Sequence, residues 1–214
     1  MSRAIAIMGE SGSGKTTAMR TLNPDETYYI DCDGKGLSWK GWRNQYNAEK
    51  KNYLRTDNQT DVLKIMVGIN EKRPNIKNIV IDTINSIMIA DERRRIAEKN
   101  YDKWSDLAWA VYDITMMASR LRDDLNIIVL AHTQTEIDDT TGERFTRILT
   151  NGKKLNKIGL EKYYTTVLLS KKGADGFVFE TQANKSTAKT PMGAFEQMEI
   201  PNDMKAVLDA LAEY

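Results

Sequence analysis

The residues with the clearest chemical purpose come first in the chain. Gly9-Glu10-Ser11-Gly12-Ser13-Gly14-Lys15-Thr16 follows the spacing G-x-x-x-x-G-K-[ST] in full. Glycines at these places let the backbone curl so that successive N–H groups point inward at phosphate oxygens. Lys15 then brings an ammonium to the β- and γ-phosphates, and the Thr16 hydroxyl is placed to ligate Mg²⁺. An apolar run, Ala4 to Met8, precedes the loop and a helical pattern follows it, so the helix adds its positive N-terminal end. The expected ligand is ATP with Mg²⁺, held from Gly9 to Thr16 with Thr17 beside them.

Further polar residues stand at the ends of apolar runs. Ile79-Val80-Ile81 ends in Asp82, and a carboxylate at such a strand end beside a phosphate loop holds Mg²⁺ through its water shell. Thr83 is a neighbour that could assist. Hydrolysis also needs a group that orients the attacking water and one that reports the γ-phosphate. Asp31 and Asp33 both follow the run Thr27 to Ile30; Asp31 is equally suited to capping the turn after it, and the residues alone leave the choice open. His132 is the only histidine and follows Ile127 to Ala131, at the edge where ligands bind open parallel sheets. Thr133 and Gln134 could take its place.

These residues need a scaffold, and the pattern supplies one. Four short apolar runs, near residues 4–8, 27–30, 78–81 and 126–130, alternate with helical periods. That alternation predicts an α/β fold: a mostly parallel twisted sheet flanked by helices. Helices are expected over residues 15–22, 60–70, 84–99 and 106–124, the last with Leu107, Val111, Ile114, Ala118, Leu121 and Leu125 on one face. Asp91 with Arg95, and Arg94 with Glu98, are spaced as surface ion pairs. Residues 136–157 read as a long mobile loop, residues 163–181 as a C-terminal antiparallel hairpin turning at 171–176, and residues 203–213 as a final helix.

Composition narrows the function classes. With 214 residues, 41% apolar and 29% charged, the chain reads as one globular domain over 1–214. A net charge of +1 supplies no global attraction to nucleic acid, so any such contact must be a local patch. The single Cys32 excludes an internal disulfide or a thiolate cluster. There is no signal-peptide pattern and no apolar stretch of about 18 residues, so a cytoplasmic protein is expected.

Taken in order, the phosphate loop, Tyr29-Ile30-Asp31-Cys32-Asp33, Ile79-Val80-Ile81-Asp82-Thr83 and Ile128-Val129-Leu130-Ala131-His132 resemble the RecA-like ATPase core. The likeness is greatest to the small phage-encoded RecA-like single-strand annealing and recombination ATPases, and it spans roughly residues 5–191. The resemblance implies that Asp33 stands where the family has its water-activating acid, with Asp in place of Glu and one methylene less reach. It implies that His132 occupies the place of the γ-phosphate-sensing glutamine. The family also carries a DNA-binding loop directly after this sensor. Here residues 143–157 hold Arg144, Arg147, Lys153, Lys154 and Lys157 against Glu143, five minus one, or +4, with Phe145 between the arginines. Such a segment can neutralise phosphates and stack a base of single-stranded DNA. A lysine that reaches a neighbour's γ-phosphate is matched best by Lys185, with Lys189, Lys171 and Lys172 as substitutes. A homo-oligomer with ATP at its subunit interfaces follows, as a ring or short filament, because the first core strand starts too early for the family's linking segment.

Two other functions fit the same phosphate loop. A small nucleotide or nucleoside kinase would use it, although Arg93-Arg94-Arg95 is the only arginine cluster available for a lid and has the spacing of an exposed helix. A slow assembly switch, controlled by nucleotide binding alone, would use it too.

Overall fold

A computed structural model of the chain describes residues 1–98, 102–137, 140–150 and 159–214, and only the backbone of residues 102–105 and 107. Its centre is an eight-stranded sheet. The strands are β1 (Arg3–Met8), β2 (Thr27–Asp31), β3 (Tyr53–Arg55), β4 (Asn78–Asp82), β5 (Asn126–Ala131), β8 (Thr166–Lys172), β9 (Phe177–Glu180) and β10 (Glu199–Pro201). In space they run β10-β9-β8-β1-β5-β4-β2-β3. Every pair from β8 through β3 is parallel, while β9 and β10 add antiparallel strands at the other edge.

Two-residue alternation explains why the central runs are apolar without interruption. Ala4, Ala6, Met8, Ile79, Ile81, Ile127 and Val129 face one core; Ile5, Ile7, Tyr29, Val80, Ile128 and Leu130 face another. The first core is closed by helices α3 (Gln59–Lys72), α4 (Ile84–Arg94) and α5 (Asp102–Met117), through Val62, Met66, Ile87, Val111 and Ile114. The second is closed by α1 (Lys15–Ala18), which continues as a 3-10 turn to Thr21, and by α6 (Met204–Ala210), through Ala18, Met19, Met204 and Val207. Full burial of each such Ile, Leu or Met adds roughly 1.5–3 kcal/mol. Local signals set the helix starts: the Asn58 side chain accepts the Thr60 N–H at 2.8 Å, and Asp203 accepts that of Ala206 at 3.1 Å.

Several expectations change. A short helix α2 (Trp42–Gln45) and the edge strand β3 follow β2. α5 ends at Met117, although Leu121 and Leu125 are still buried beyond it. The ion pairs expected for Arg94 with Glu98 and Arg95 with Asp91 give way to others: Arg94 pairs with Asp57, and Arg95 with Glu98 and Asp106 at 2.7 and 2.9 Å. Much of the expected loop is instead an antiparallel two-stranded hairpin of β6 (Thr133–Ile137) and β7 (Arg144–Ile148), while residues 138–139 and 151–158 lie outside the described residues. Among the described residues no helix is long and apolar enough to cross a membrane.

Candidate nucleotide site

Because β1, β5, β4 and β2 are parallel and in register, their C-terminal ends form one edge. Met8 lies opposite Ala131, Leu130 opposite Asp82, and Asp82 opposite Asp31. The phosphate loop, His132, Asp82 and the turn after Asp31 therefore meet there. β5 stands between β1 and β4, so Asp82 belongs to the next strand but one and still reaches the loop.

The loop depends on its glycines. Gly14 has φ 96°, and a Cβ there would meet Phe177 Cγ at 2.6 Å. At Gly9 a Cβ would meet the Ser170 carbonyl oxygen at 2.5 Å. Ser170 also donates to the Ser13 carbonyl at 2.8 Å, so β8 supports the loop from behind. α1 provides a single α-helical turn rather than the longer helix expected, which leaves the phosphate grip to the loop amides and Lys15.

Lys15 is buried and donates to the Gly9 and Glu10 carbonyl oxygens, at 2.7 Å each. Burial pulls its ammonium down to about 8 against the opposing attraction of Asp82. Below about 8 the charge is present; above it the free site loses the proton that a phosphate would select. Affinity for ATP is thus expected to decline by up to about tenfold per pH unit once the pH exceeds 8, with proton uptake on binding. Calorimetric titrations between pH 7 and 9.5 check this, and a flat profile would contradict it.

Thr16 donates to Asp82 Oδ2 at 2.7 Å, and the wholly buried Tyr29 donates to the same oxygen at 2.6 Å. Asp82 Oδ1 is buried with no hydrogen-bond partner among the described residues. Burial raises the Asp82 carboxyl, while the bonds from Tyr29 and Thr16 work against that rise. Burial together with the neighbouring Asp82 charge pushes the Tyr29 phenol up, so it remains a donor. A hydroxyl beside a carboxylate with a spare buried oxygen is a hard oxygen donor set, and it suits Mg²⁺. The Asp82–Thr83 peptide bond is cis.

The turn after β2 separates the two acids that sequence left tied. Asp31 accepts the Gly34 and Gly36 N–H groups at 2.8 and 3.0 Å and the Tyr53 hydroxyl at 2.6 Å. Its oxygens are spent on building the turn, the capping role. The strand ends at Asp31, so strand alternation does not carry on to Asp33. The Asp33 carboxylate instead pairs with the ammonium of Lys35.

His132 is half-buried, and its ring lines a cavity of about 360 Å³ with Ser11, Lys15, Thr16, Lys35 and Phe177. Burial, then the charges of Lys15 and Lys35, hold its imidazole below the usual value, which favours the neutral ring near pH 7. Asn85 fixes its backbone: Asn85 Oδ1 accepts the His132 N–H at 2.7 Å, and Asn85 Nδ2 donates to the Leu149 carbonyl at 2.7 Å. Glu10 and Gly12 are exposed in the loop, and Thr17 bonds Ser38 at 2.9 Å at the cavity's outer wall. Thr133 lines a second cavity with Ser11, Gly12 and Ser13, while Gln134 donates to Glu136 at 2.5 Å.

The remaining expected residues lie farther out. Arg144 is exposed and Phe145 half-buried on β7; Lys153 and Lys154, with Lys157, lie outside the described residues. Arg147, expected at the DNA contact, is only 14% exposed and pairs with Glu136 at 3.3 Å and Glu161 at 3.4 Å. Lys185 is exposed, does not line the cavity beside Lys15, and uses its carbonyl to accept the Thr146 N–H at 2.8 Å. Lys171 is held by Glu180 at 2.6 Å and Glu199 at 2.8 Å. The sequence reading missed Tyr29, Asn85, Lys35 and Phe177. Of these only Lys35, set between two glycines near the strand end, carried a recognisable signal.

A parallel sheet whose phosphate loop, lysine, threonine and strand-end aspartate converge in this way defines a P-loop NTPase. A family model for an AAA domain matches residues 1–191, and the chain belongs to that family. Domains of this kind generally bind and hydrolyse ATP with Mg²⁺. No curated protein matches the chain.

Proposed function

We propose that this chain is an ATP-hydrolysing protein of the RecA-like type that binds single-stranded DNA and promotes annealing or recombination. The observation that carries the nucleotide half is the meeting of Lys15, Thr16 and His132 on one cavity, with Asp82 bonded to Thr16. Asp33 lines a separate cavity with Arg93 and Arg94 but is near enough for its charge to act on Lys15. Lys15 and the loop amides hold the triphosphate, and Thr16 and Asp82 hold Mg²⁺, which neutralises charge on the phosphates when bound. Asp33 accepts a proton from the attacking water, and the neutral His132 ring donates to the γ-phosphate.

The DNA half is supported by connectivity. β6 starts one residue after His132, and Thr133 at the base of the hairpin and Thr146 in the middle of β7 line one cavity with Ser11, Gly12 and Ser13. A change at the phosphates has a short path to the hairpin that carries Arg144 and Phe145. Lys153 and Lys154 extend the same basic stretch, and Lys185 serves a neighbouring copy's γ-phosphate in an oligomer. The pairing of Arg94 and Arg95 with Asp57, Glu98 and Asp106 supports this reading over a kinase with an arginine lid.

The test is ATP turnover with and without single-stranded DNA, together with binding across a salt series. Changing Arg144, Lys153 and Lys154 to alanine together is expected to weaken binding and reduce the salt slope by about 2, at roughly 0.7 for each phosphate no longer neutralised. Unchanged affinity and slope would remove this segment as the DNA contact. Phosphate transfer to a nucleoside would instead point to a kinase.

A further inference from the structure

Lys35 belongs to none of the motifs that define the site, yet it enters the same cavity. It lines that space with Lys15, Thr16 and His132. Its charge lowers the proton affinity of both Lys15 and His132, as expected of a cation close to each. In the structure its ammonium is held by Asp33, the residue assigned above to activating water.

Three observations give this contact a purpose. First, the backbone under Lys35 is fixed. Asp31 clamps the Gly34 and Gly36 N–H groups on either side at 2.8 and 3.0 Å, and Gly34 and Gly36 hold left-handed φ values of 70° and 81°. Second, the side chain is free to swing, being 53% exposed. Only its four-carbon stem needs to rotate for the ammonium to change partner. Third, the charges need it. Lys15 stands against Asp82, Asp33 and Glu10, one positive and three negative, net −2, at a place meant for a polyanion; Lys35 halves that deficit to −1.

We propose that Lys35 is a second, in-cis cation for the γ-phosphate, and that its pairing with Asp33 is exchanged for the phosphate when ATP binds. The exchange couples two events. The γ-phosphate gains a charge-assisted bond that ADP cannot make, and Asp33 loses the cation that occupies its oxygen. Asp33 is therefore masked by Lys35 until a triphosphate is present, and exposed to water once it is. Burial opposes the charge on Lys35, but the bond from Asp33 and the Asp82 charge outweigh it, so the ammonium is protonated and available.

The inference rests on the nucleotide site proposed above, and the experiment separates the two. Affinities for ADP and for the non-hydrolysable adenylyl imidodiphosphate, each with Mg²⁺, are measured for the parent, Lys35→Ala, Lys35→Met and Lys35→Arg. Lys35→Ala and Lys35→Met are expected to lose about tenfold or more in analogue affinity while ADP affinity stays within about twofold. Lys35→Arg restores most of the difference. Asp33→Asn, which frees Lys35 from its partner, is expected to raise analogue affinity about two- to fivefold, the scale of a surface ion pair. An unchanged analogue-to-ADP ratio in both Lys35→Ala and Lys35→Met would overturn the proposal. So would an equal loss for both nucleotides. If Lys15→Ala bound both nucleotides like the parent, the site itself would fail instead.

Discussion

Replacing Lys15 with alanine abolishes useful ATP binding, with affinity expected to fall on the order of 10²–10⁴-fold. The loss corresponds to two charge-assisted bonds to phosphate oxygens, at about 1.5–3 kcal/mol each. Lys15 is a buried cation at the base of the loop, and its Nζ reaches two loop carbonyls at 2.7 Å. The substitution also leaves those carbonyls without a partner, so a fold defect must be told apart from a ligand defect. Lys15→Met serves that purpose because it keeps the buried stem and removes the charge. Both variants are expected to melt within a few degrees of the parent and to bind ATP equally poorly. Parent-like affinity in either variant would show that the triphosphate does not lie on this loop.

The second large effect belongs to hydrolysis. Asp33→Asn is expected to lower the turnover number by about 10²–10⁴-fold, the usual contribution of a positioned general base. ATP affinity should rise about two- to fivefold, as expected when Lys35 is freed from its partner. Asp31→Asn makes the contrast. Asp31 holds two turn amides and the Tyr53 hydroxyl, so its loss should lower the melting temperature and disturb the whole 31–36 turn. Single-turnover kinetics with saturating ATP distinguish the two acids. If Asp33→Asn turned over ATP at the parental rate, the acid that activates water would have to be sought elsewhere. The shorter reach of Asp compared with Glu makes a slow parental rate the natural expectation as well.

Much of the scaffold was legible because burial on both faces leaves strands that are apolar throughout. β1, β2, β4 and β5 were visible for this reason, as were the two strands of the C-terminal hairpin, β8 and β9. β3 was not, since it is three residues at an edge with Leu54 and Arg55 exposed. β10 is equally short and ends in Pro201, a residue that argues against a strand except at an edge. β7 reads Arg-Phe-Thr-Arg-Ile, and it is held extended by long-range partners, β6 on one side and the backbone around Ser186 on the other. The end of α5 was overrun because Leu121 and Leu125 keep helical spacing while being buried from the connection that follows.

The site divides along similar lines. Gly9 to Thr16 was fully readable, since the chemistry is local in sequence. Asp82 was readable from its place at a strand end. The choice between Asp31 and Asp33 was not, because it is made by the amides of Gly34 and Gly36 and by Tyr53 from the edge strand. Tyr29 looked like any apolar strand residue until register placed its hydroxyl on Asp82. Arg147 carried no sign of its partner either, because Glu161, which pairs with its guanidinium, lies fourteen positions later.

The most direct test is a crystal structure grown with Mg²⁺ and a non-hydrolysable ATP analogue. The expected result is a triphosphate enclosed by the amides of Gly9 to Thr16, with the Lys15 ammonium turned from the Gly9 and Glu10 carbonyls onto its oxygens. Magnesium should rest between the Thr16 hydroxyl and Asp82. A nucleotide bound elsewhere, with Lys15 still on those two carbonyls, would contradict the assignment at its root.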